Sequence, residues 1–323
     1  MSTCHEQGLI VLRDDHAEAG VAPAWGGALT WYNWLSGANN QRTPILRPWS
    51  PEGNETPDPF SLASNVMVPW CNRIGGNGFM FEGRYYPVKP NVANQPFAIH
   101  GDGFSSAWTV TQLQSTKVQM TLESSTLAAF VYTAQLSYEL KSGALCMTLA
   151  VTNCADRAAP YGVGFHPWFA KRHDTQLQFD SEFYWTESKD YLPLKRIACS
   201  ASDARDFSTL RPVPDNWTNT AYEGWNRKAT VCTSSMEMMV HIEASDSLDN
   251  LMVYSPNASA DFVCVEPMSH IPNAHRLRGL AKGAKLSRLE TGQTLEGSMW
   301  IRPSRTGCGP PLVALGSAAV NSG

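Results

Sequence analysis

The amino-acid sequence predicts an all-β protein, a single-domain sandwich of antiparallel strands. Two observations favour this fold class. Apolar and polar residues alternate with a period of two in many segments of the 323-residue chain, and no stretch carries an apolar stripe of helical period over three turns. The 24 glycines and 21 prolines are spread along the chain, which is typical of a sandwich with many loops.

The strongest alternation lies between Val131 and Asn153. Its first half places apolar residues at every second position, namely Tyr132, Ala134, Leu136, Tyr138 and Leu140. The tripeptide Lys141-Ser142-Gly143 then supplies a short turn with a glycine available for positive φ, and the alternation resumes up to Val151. Two long strands joined this tightly must be antiparallel.

Shorter runs of the same kind predict further strands along the chain. They cover Gly8 to Leu12, Val118 to Leu122, Thr230 to Cys232, Met236 to Ile242, Leu251 to Tyr254 and Phe262 to Glu266. The segment Ser50 to Pro59 contains three prolines and is predicted to be a loop. No repeat or change of composition divides residues 1–304, which we expect to form one domain, and residues 305–323 are predicted to be a flexible tail.

Charge and cysteine usage narrow the classes of function. A formal net charge of -4 gives no broad attraction to phosphate backbones or anionic lipid, so we expect neither nucleic acid nor membrane as a partner. The eight cysteines are scattered without a C-x-x-C pair, and we interpret them as mostly free thiols. With neither a signal peptide nor an apolar run of membrane-spanning length in the sequence, we expect a cytoplasmic protein.

Three polar side chains stand out because each lies beside Gly or Pro at the end of an apolar run. They are His100, His166 and Glu266. One carboxylate and two imidazoles can move protons in both directions, which favours acid and base catalysis. From these residues alone the structural alternatives stay open: a solvent-facing glutamate, a core histidine bonded to backbone, and a histidine that caps a loop.

Five short motifs in order resemble the aldose 1-epimerase, or galactose mutarotase, family. They are Asn72-Arg73-Ile74, Ile99-His100-Gly101, Phe165-His166-Pro167-Trp168-Phe169, the segment from Asn219 to Trp225, and Val265-Glu266-Pro267. Together with the segment that follows Glu290, they span roughly residues 72–300. The resemblance implies a large antiparallel β-sandwich of the galactose mutarotase type, which binds a sugar in an open cleft.

The resemblance also implies roles for five residues. Glu266 is expected to be the base that takes the proton of the C1 hydroxyl, and His166 the acid that protonates the ring oxygen. Arg73, His100 and Asn219 are expected to bind the substrate. The expected partner is a free monosaccharide, no metal or organic cofactor is required, and the protein is expected to be a monomer or homodimer.

Asn219 departs from the family pattern, because many members carry an aspartate there. An amide donates as well as accepts, so the preferred sugar could differ, and Asp215 could supply a carboxylate instead. Two alternatives to a free-sugar epimerase stay open. One is a hexose-6-phosphate epimerase that uses Arg84 and Lys89 for the phosphate, and the other is a sugar-binding protein without turnover.

Overall fold

A computed structural model describes residues 8–37, 39–49, 57–127, 129–277 and 285–305. Within these residues the chain forms strands and three short 3-10 helices, which confirms the all-β prediction. The strands are β1 Ile10–Arg13, β2 Ala17–Ala22, β3 Ala28–Ser36, β4 Gln41–Leu46, β5 Ser64–Met67, β6 Arg73–Ile74, β7 Gly78–Phe81, β8 Arg84–Pro87, β9 Ala98–Ile99, β10 Thr109–Leu113, β11 Lys117–Leu127, β12 Phe130–Lys141, β13 Ala144–Asn153, β14 Ala159–Tyr161, β15 Gly164–Ala170, β16 Thr175–Phe179, β17 Phe183–Glu187, β18 Pro193–Ala198, β19 Arg211–Pro212, β20 Thr218–Glu223, β21 Lys228–Thr233, β22 Met238–Ala244, β23 Asn250–Ser255, β24 Phe262–Met268, β25 Ser287–Leu289 and β26 Thr294–Arg305. The 3-10 helices are Pro59–Ser61, Gly103–Ser105 and Ser234–Met236. None of the helices in this part of the chain is long and apolar enough to cross a membrane.

The strands assemble into two large antiparallel sheets. The first, called the site sheet below, has 11 strands in the order β1-β2-β3-β4-β15-β24-β23-β20-β17-β18, with β5 paired to β15 and β3. The second has nine strands in the order β10-β11-β12-β13-β26-β22-β21-β16-β19. Three two-stranded sheets, β6-β9, β7-β8 and β14-β25, complete the described architecture.

The hairpin of β12 and β13 confirms the strongest sequence prediction. Lys141 pairs with Ala144, so the turn has two residues rather than the three expected. Both turn residues have positive φ, 51° at Ser142 and 82° at Gly143, which is the type I′ geometry that matches strand twist. The predicted apolar face of β12 is buried throughout, because the alternating side chains point into the core.

One core cluster contains apolar side chains from both large sheets. Two buried tyrosines also link the sheets by hydrogen bonds. The Tyr32 hydroxyl of β3 donates to the Gly143 carbonyl at 2.5 Å, and the Tyr138 hydroxyl of β12 donates to the Gly27 carbonyl at 2.9 Å. Each bond pairs a phenol with a backbone carbonyl, so the polar end of a large aromatic side chain is satisfied inside the sandwich.

The predicted strands are all present, with differences at their ends. Met236 is the last residue of a 3-10 helix, and the next residue, Glu237, caps that helix in the left-handed conformation. The strand β22 therefore begins at Met238. The strand β24 continues two residues past Glu266 to Met268. Residues 50–56 of the predicted loop and residues 306–323 of the predicted tail lie outside the described residues, and the one-domain interpretation of residues 1–304 stays a prediction.

Substitution of Gly143 by Ala tests the hairpin turn. A Cβ there would lie 2.4 Å from the Trp34 ring and 3.0 Å from the His16 Cβ, at a positive φ that side chains disfavour. We expect Gly143→Ala to lower the free energy of unfolding in urea by about 1–3 kcal/mol. Ser142→Asn is the matched control. It should leave the free energy of unfolding unchanged, since Asn tolerates the positive φ at this position. Equal stability of Gly143→Ala and the wild type would contradict this account.

Candidate active site

The period of two in the site sheet divides its side chains between two faces. On β24, Val263 and Val265 point into the core between the sheets, whereas Cys264 and Glu266 point to the opposite face. That outer face is the floor of a cleft. Glu266 therefore lies in the middle of a strand and not at its end, which corrects the sequence-based placement.

The register of the central strands fixes which side chains meet on this floor. β15 pairs with β24 so that Gly164 lies opposite Met268 and Trp168 opposite Cys264. The same register places His166 opposite Glu266, on one face and at cross-strand distance. The His166 Nε2 atom lies 3.3 Å from Glu266 Oε1.

The cleft above this floor has a volume of about 340 Å³. Its lining residues are Arg47, Phe60, Asn72, Arg73, Gln95, Ile99, His100, His166, Trp168, Tyr191, Trp217, Asn219, Tyr254, Phe262 and Glu266. All five residues that the sequence analysis proposed for the site are among them. They come from β6, β15, β20, β24 and the turn after β9, so the fold assembles a site from segments almost 200 residues apart.

Burial controls the protonation of the central pair. Glu266 is 1% exposed, and desolvation raises the pKa of its carboxyl well above the usual range, opposed by the positive charge of Arg73. Desolvation also lowers the pKa of His166 to about 3, with Arg47 and Arg73 adding to the shift. Both shifts favour neutral groups, so the pair holds one proton, placed mainly on the carboxyl.

His166 is further fixed by its neighbours. Its imidazole stacks on the Trp168 indole with ring centroids 4.0 Å apart and planes inclined by 22°. Within the part of the chain that the structure describes, its Nδ1 atom is buried without a hydrogen-bond partner, as is Oε2 of Glu266. Each member of the pair thus retains one buried polar atom whose hydrogen-bonding capacity is unused.

His100 occupies the turn after β9 with φ of 60°, and its ring meets that of His166 edge to face. The Asn72 amide N–H donates to His100 Nδ1 at 3.1 Å. Because burial lowers the pKa of His100 well below its usual value, the ring is neutral and its hydrogen is on Nε2. His100 can therefore offer one N–H donor to the cleft.

Arg73 contributes a partly unsatisfied guanidinium to the wall of the cleft. Its terminal nitrogen donates to Gln95 Oε1 at 3.2 Å, and its charge lies over the Tyr191 ring. Its buried Nε has no hydrogen-bond partner among the described residues. Burial lowers the pKa of Arg73, and Glu187 and Glu266 oppose that shift. Glu82, in the turn between β7 and β8, pairs with Arg288.

Asn219 lies across the cleft on β20, opposite Tyr254 of β23. Its amide nitrogen donates to Glu187 Oε2 at 2.5 Å, and the indole N–H of Trp217 donates to Glu187 Oε1 at 2.5 Å. Asp215, which the sequence suggested as a substitute carboxylate, is exposed and does not line the cleft. Glu187 is the carboxylate at this position.

Several residues that line the cleft were not predicted from the sequence. Arg47 packs over the Trp168 and Phe262 rings, and Trp217 is 47% exposed at the rim beside Tyr191. No local pattern in the sequence marks either residue as part of the cleft, because their place there depends on which strands are neighbours. Conversely, Arg84 and Lys89, proposed for a phosphate, do not line the cleft.

Three ligand atoms on the cleft floor have metal-binding chemistry. One atom each of His166, Cys264 and Glu266 lies within 4.8 Å of the other two. Zinc uses these ligand types. The charges of Arg47 and Arg73 act on the same groups and oppose a dication. The expectation that no metal is required stays a prediction.

Comparison with known proteins identifies the class. The model of the aldose 1-epimerase family matches residues 8–302, and the chain belongs to that family. Among curated proteins, it is 27% identical to the uncharacterized YphB of Escherichia coli K12 over 274 residues, which cover 83% of this chain and 91% of YphB. It is 26% identical to the uncharacterized YihR of the same organism over 247 residues, 73% of this chain and 77% of YihR.

Solved structures share the fold. A candidate aldose 1-epimerase of Escherichia coli K12 superposes with a TM-score of 0.82 at 26% identity, covering 92% of this chain and 99% of that chain. A galactose mutarotase-like protein of Clostridium acetobutylicum superposes with a TM-score of 0.78 at 19% identity, covering 92% of this chain and 95% of that chain. The predicted galactose mutarotase-type sandwich is thereby confirmed.

Glu266→Gln tests the burial of the carboxyl. Burial raises the pKa of the Glu266 carboxyl in the folded protein above its value in the unfolded chain, which is about 4.3. The folded protein therefore loses stability as pH rises from the unfolded-state pKa through the folded-state pKa. Glutamine does not titrate, and His166 is common to both proteins. We expect the variant to gain up to about 1.4 kcal/mol per pH unit over the wild type between about pH 5 and pH 7.

Urea unfolding at several pH values across that window measures this gain. Glu296→Gln is the matched control, because Glu296 is exposed on β26 and should leave the pH dependence of stability unchanged. A constant difference in stability between Glu266→Gln and the wild type across the window would show that the carboxyl is not perturbed by burial.

Proposed function

We propose that this protein is an aldose 1-epimerase that interconverts the α and β anomers of a free hexose or related monosaccharide. The observation that carries the proposal is the contact of 3.3 Å between His166 and Glu266, buried on the floor of one cleft with Arg73, His100 and Asn219. Membership of the aldose 1-epimerase family supports the same class of isomerase.

The reaction needs one base and one acid. The Glu266 carboxylate takes the proton of the C1 hydroxyl, the bond between C1 and the ring oxygen breaks, and the His166 imidazolium protonates that oxygen. Rotation about C1–C2 in the open aldehyde exposes its other face. Ring closure reverses the transfers: His166 takes the proton of the C5 hydroxyl, and the Glu266 carboxyl returns a proton to the C1 oxygen.

The proton count of the pair fits this cycle. Ring opening proceeds from the less populated form, with the single proton on His166, and leaves the single proton on Glu266. Burial favours the second state, whereas Arg73 favours the ionised carboxylate. The pair therefore passes between two states with the same number of protons, and no exchange with solvent is needed within a turnover.

The remaining residues supply binding. The guanidinium of Arg73 and the Nε2–H of His100 donate to sugar oxygens, and Asn219 contacts a hydroxyl on the opposite wall. The rim aromatics Trp217 and Tyr191 offer ring faces to the apolar side of a sugar. Six free cysteines among the described residues fit a reducing compartment, and we propose the cytoplasm as the place of action.

Substitution of the pair tests the proposal. We expect Glu266→Gln and His166→Asn each to lower kcat for mutarotation by about 10²–10⁴-fold, because each removes one positioned proton carrier. Polarimetry of freshly dissolved α-anomers of glucose and galactose measures the rate. His241→Asn, which replaces an exposed histidine of β22, is the control and should retain the wild-type rate.

Two results would contradict the proposal. One is a wild-type protein that accelerates mutarotation of none of a panel of aldoses, and the other is full activity in Glu266→Gln. Saturable sugar binding without any rate enhancement would instead support the sugar-binding alternative. A rate on glucose 6-phosphate far above that on glucose would support the phosphate alternative.

Removal of metal tests whether His166, Cys264 and Glu266 act as ligands. Protein dialysed against EDTA and then against metal-free buffer is expected to keep its full rate, since the acid and base need no Lewis acid. Metal content by mass spectrometry and polarimetry of the same sample check this. Loss of activity that zinc restores would assign the cluster to a metal.

A further inference from the structure

Glu187 holds the Asn219 wall of the cleft through both of its carboxylate oxygens. Oε2 accepts from the Asn219 amide nitrogen and Oε1 accepts from the Trp217 indole, each at 2.5 Å. Hydrogen bonds to an ionised acceptor are about twice as strong as neutral ones. One side chain therefore fixes two residues that line the cleft.

The register of the site sheet explains why these side chains meet. β17 pairs with β20 so that Tyr184 lies opposite Tyr222 and Trp185 opposite Ala221. Continuing that register places Glu187 opposite Asn219 on the outer face, where cross-strand side chains are about 4.5–5.5 Å apart at Cβ. The contact is built into the strand pairing.

The chemistry of the contact fixes the orientation of the amide. Both Glu187 oxygens act as acceptors, one from the Trp217 indole and the other from Asn219, so the Asn219 group that faces Glu187 is its NH₂ and not its carbonyl. The carbonyl oxygen, Oδ1, then points away from Glu187. Within the described residues it receives no hydrogen bond, and Asn219 lines the cleft.

We propose that Glu187 is a positioning residue that makes Asn219 present an acceptor, its Oδ1, to the sugar. The inference rests on the proposed function for its ligand. The sugar hydroxyl that contacts Asn219 then acts as a hydrogen-bond donor to Oδ1. A sugar that presents only an acceptor at this position, such as a methyl ether, binds more weakly. The same contact holds the Trp217 ring at the rim.

A swap of the two side chains tests this assignment. Glu187→Gln lets the amide of Asn219 adopt either orientation, and we expect KM for the preferred aldose to rise about 3–10-fold with kcat within about 2-fold. Asn219→Asp sets two carboxylates against each other, and we expect KM to rise about 10-fold or more, less so as pH is lowered and one carboxyl takes a proton.

The double variant Glu187→Gln/Asn219→Asp decides the case. There the glutamine NH₂ donates to the aspartate, and an acceptor faces the cleft again, so we expect KM to return to within about 3-fold of the wild type. An unchanged KM in Glu187→Gln, or a double variant no better than Asn219→Asp, would overturn the assignment. Urea unfolding of all four proteins separates a local effect from a loss of fold.

Calorimetric titration with the same sugar keeps this test independent of catalysis. Kd should follow the pattern expected for KM across the four proteins. If the wild type binds sugar without accelerating mutarotation, the epimerase proposal fails while the Kd cycle still confirms or overturns the role of Glu187.

Discussion

The antiparallel register between β15 and β24 is the constraint on which the candidate site depends. Because side chains alternate between the faces of a sheet, a shift of one residue would send His166 into the core and leave Glu266 without its neighbour. The apolar residues on the inner face prevent that shift. Val263, Val265 and Phe165 are completely buried in the core between the sheets. The core therefore sets the distance between His166 and Glu266 as well as contributing to stability.

The same sheet orders the whole floor of the cleft. Pairing across β20, β23, β24 and β15 aligns Asn219, Tyr254, Cys264 and Trp168 in one row. A second row contains Glu266 and the apolar residues Met252 and Ala221, which pack with Met67, Cys71, Trp185, Met268 and Ile271. This apolar patch keeps water from the carboxyl on one side, which is the physical origin of its raised pKa.

The sequence predicted the strands well because alternation is a local property, visible in β12 and β13 without knowledge of the fold. Resemblance to a family then placed Arg73, His100, His166, Asn219 and Glu266 in one site, and all five line the cleft. Strand order across the site sheet is not local. The proximity of Glu187 to Asn219, and the mid-strand position of Glu266, follow from that order and could not be read from spacing.

Two buried histidines, His270 and His166, differ in how many of their ring nitrogens have hydrogen-bond partners. His270 receives a hydrogen bond from the Cys71 amide and donates to the Ile271 carbonyl, so both ring nitrogens are satisfied and its role is structural. His166 is equally enclosed, yet its Nδ1 has no partner and its Nε2 faces a carboxyl that also keeps an unpaired oxygen. Unsatisfied buried polar atoms cost about 1–3 kcal/mol each. An unsatisfied ring nitrogen is not peculiar to the cleft, since within the described residues both ring nitrogens of His275 also lack a hydrogen-bond partner. What distinguishes His166 is the contact of its Nε2 with Glu266 on the floor of the cleft.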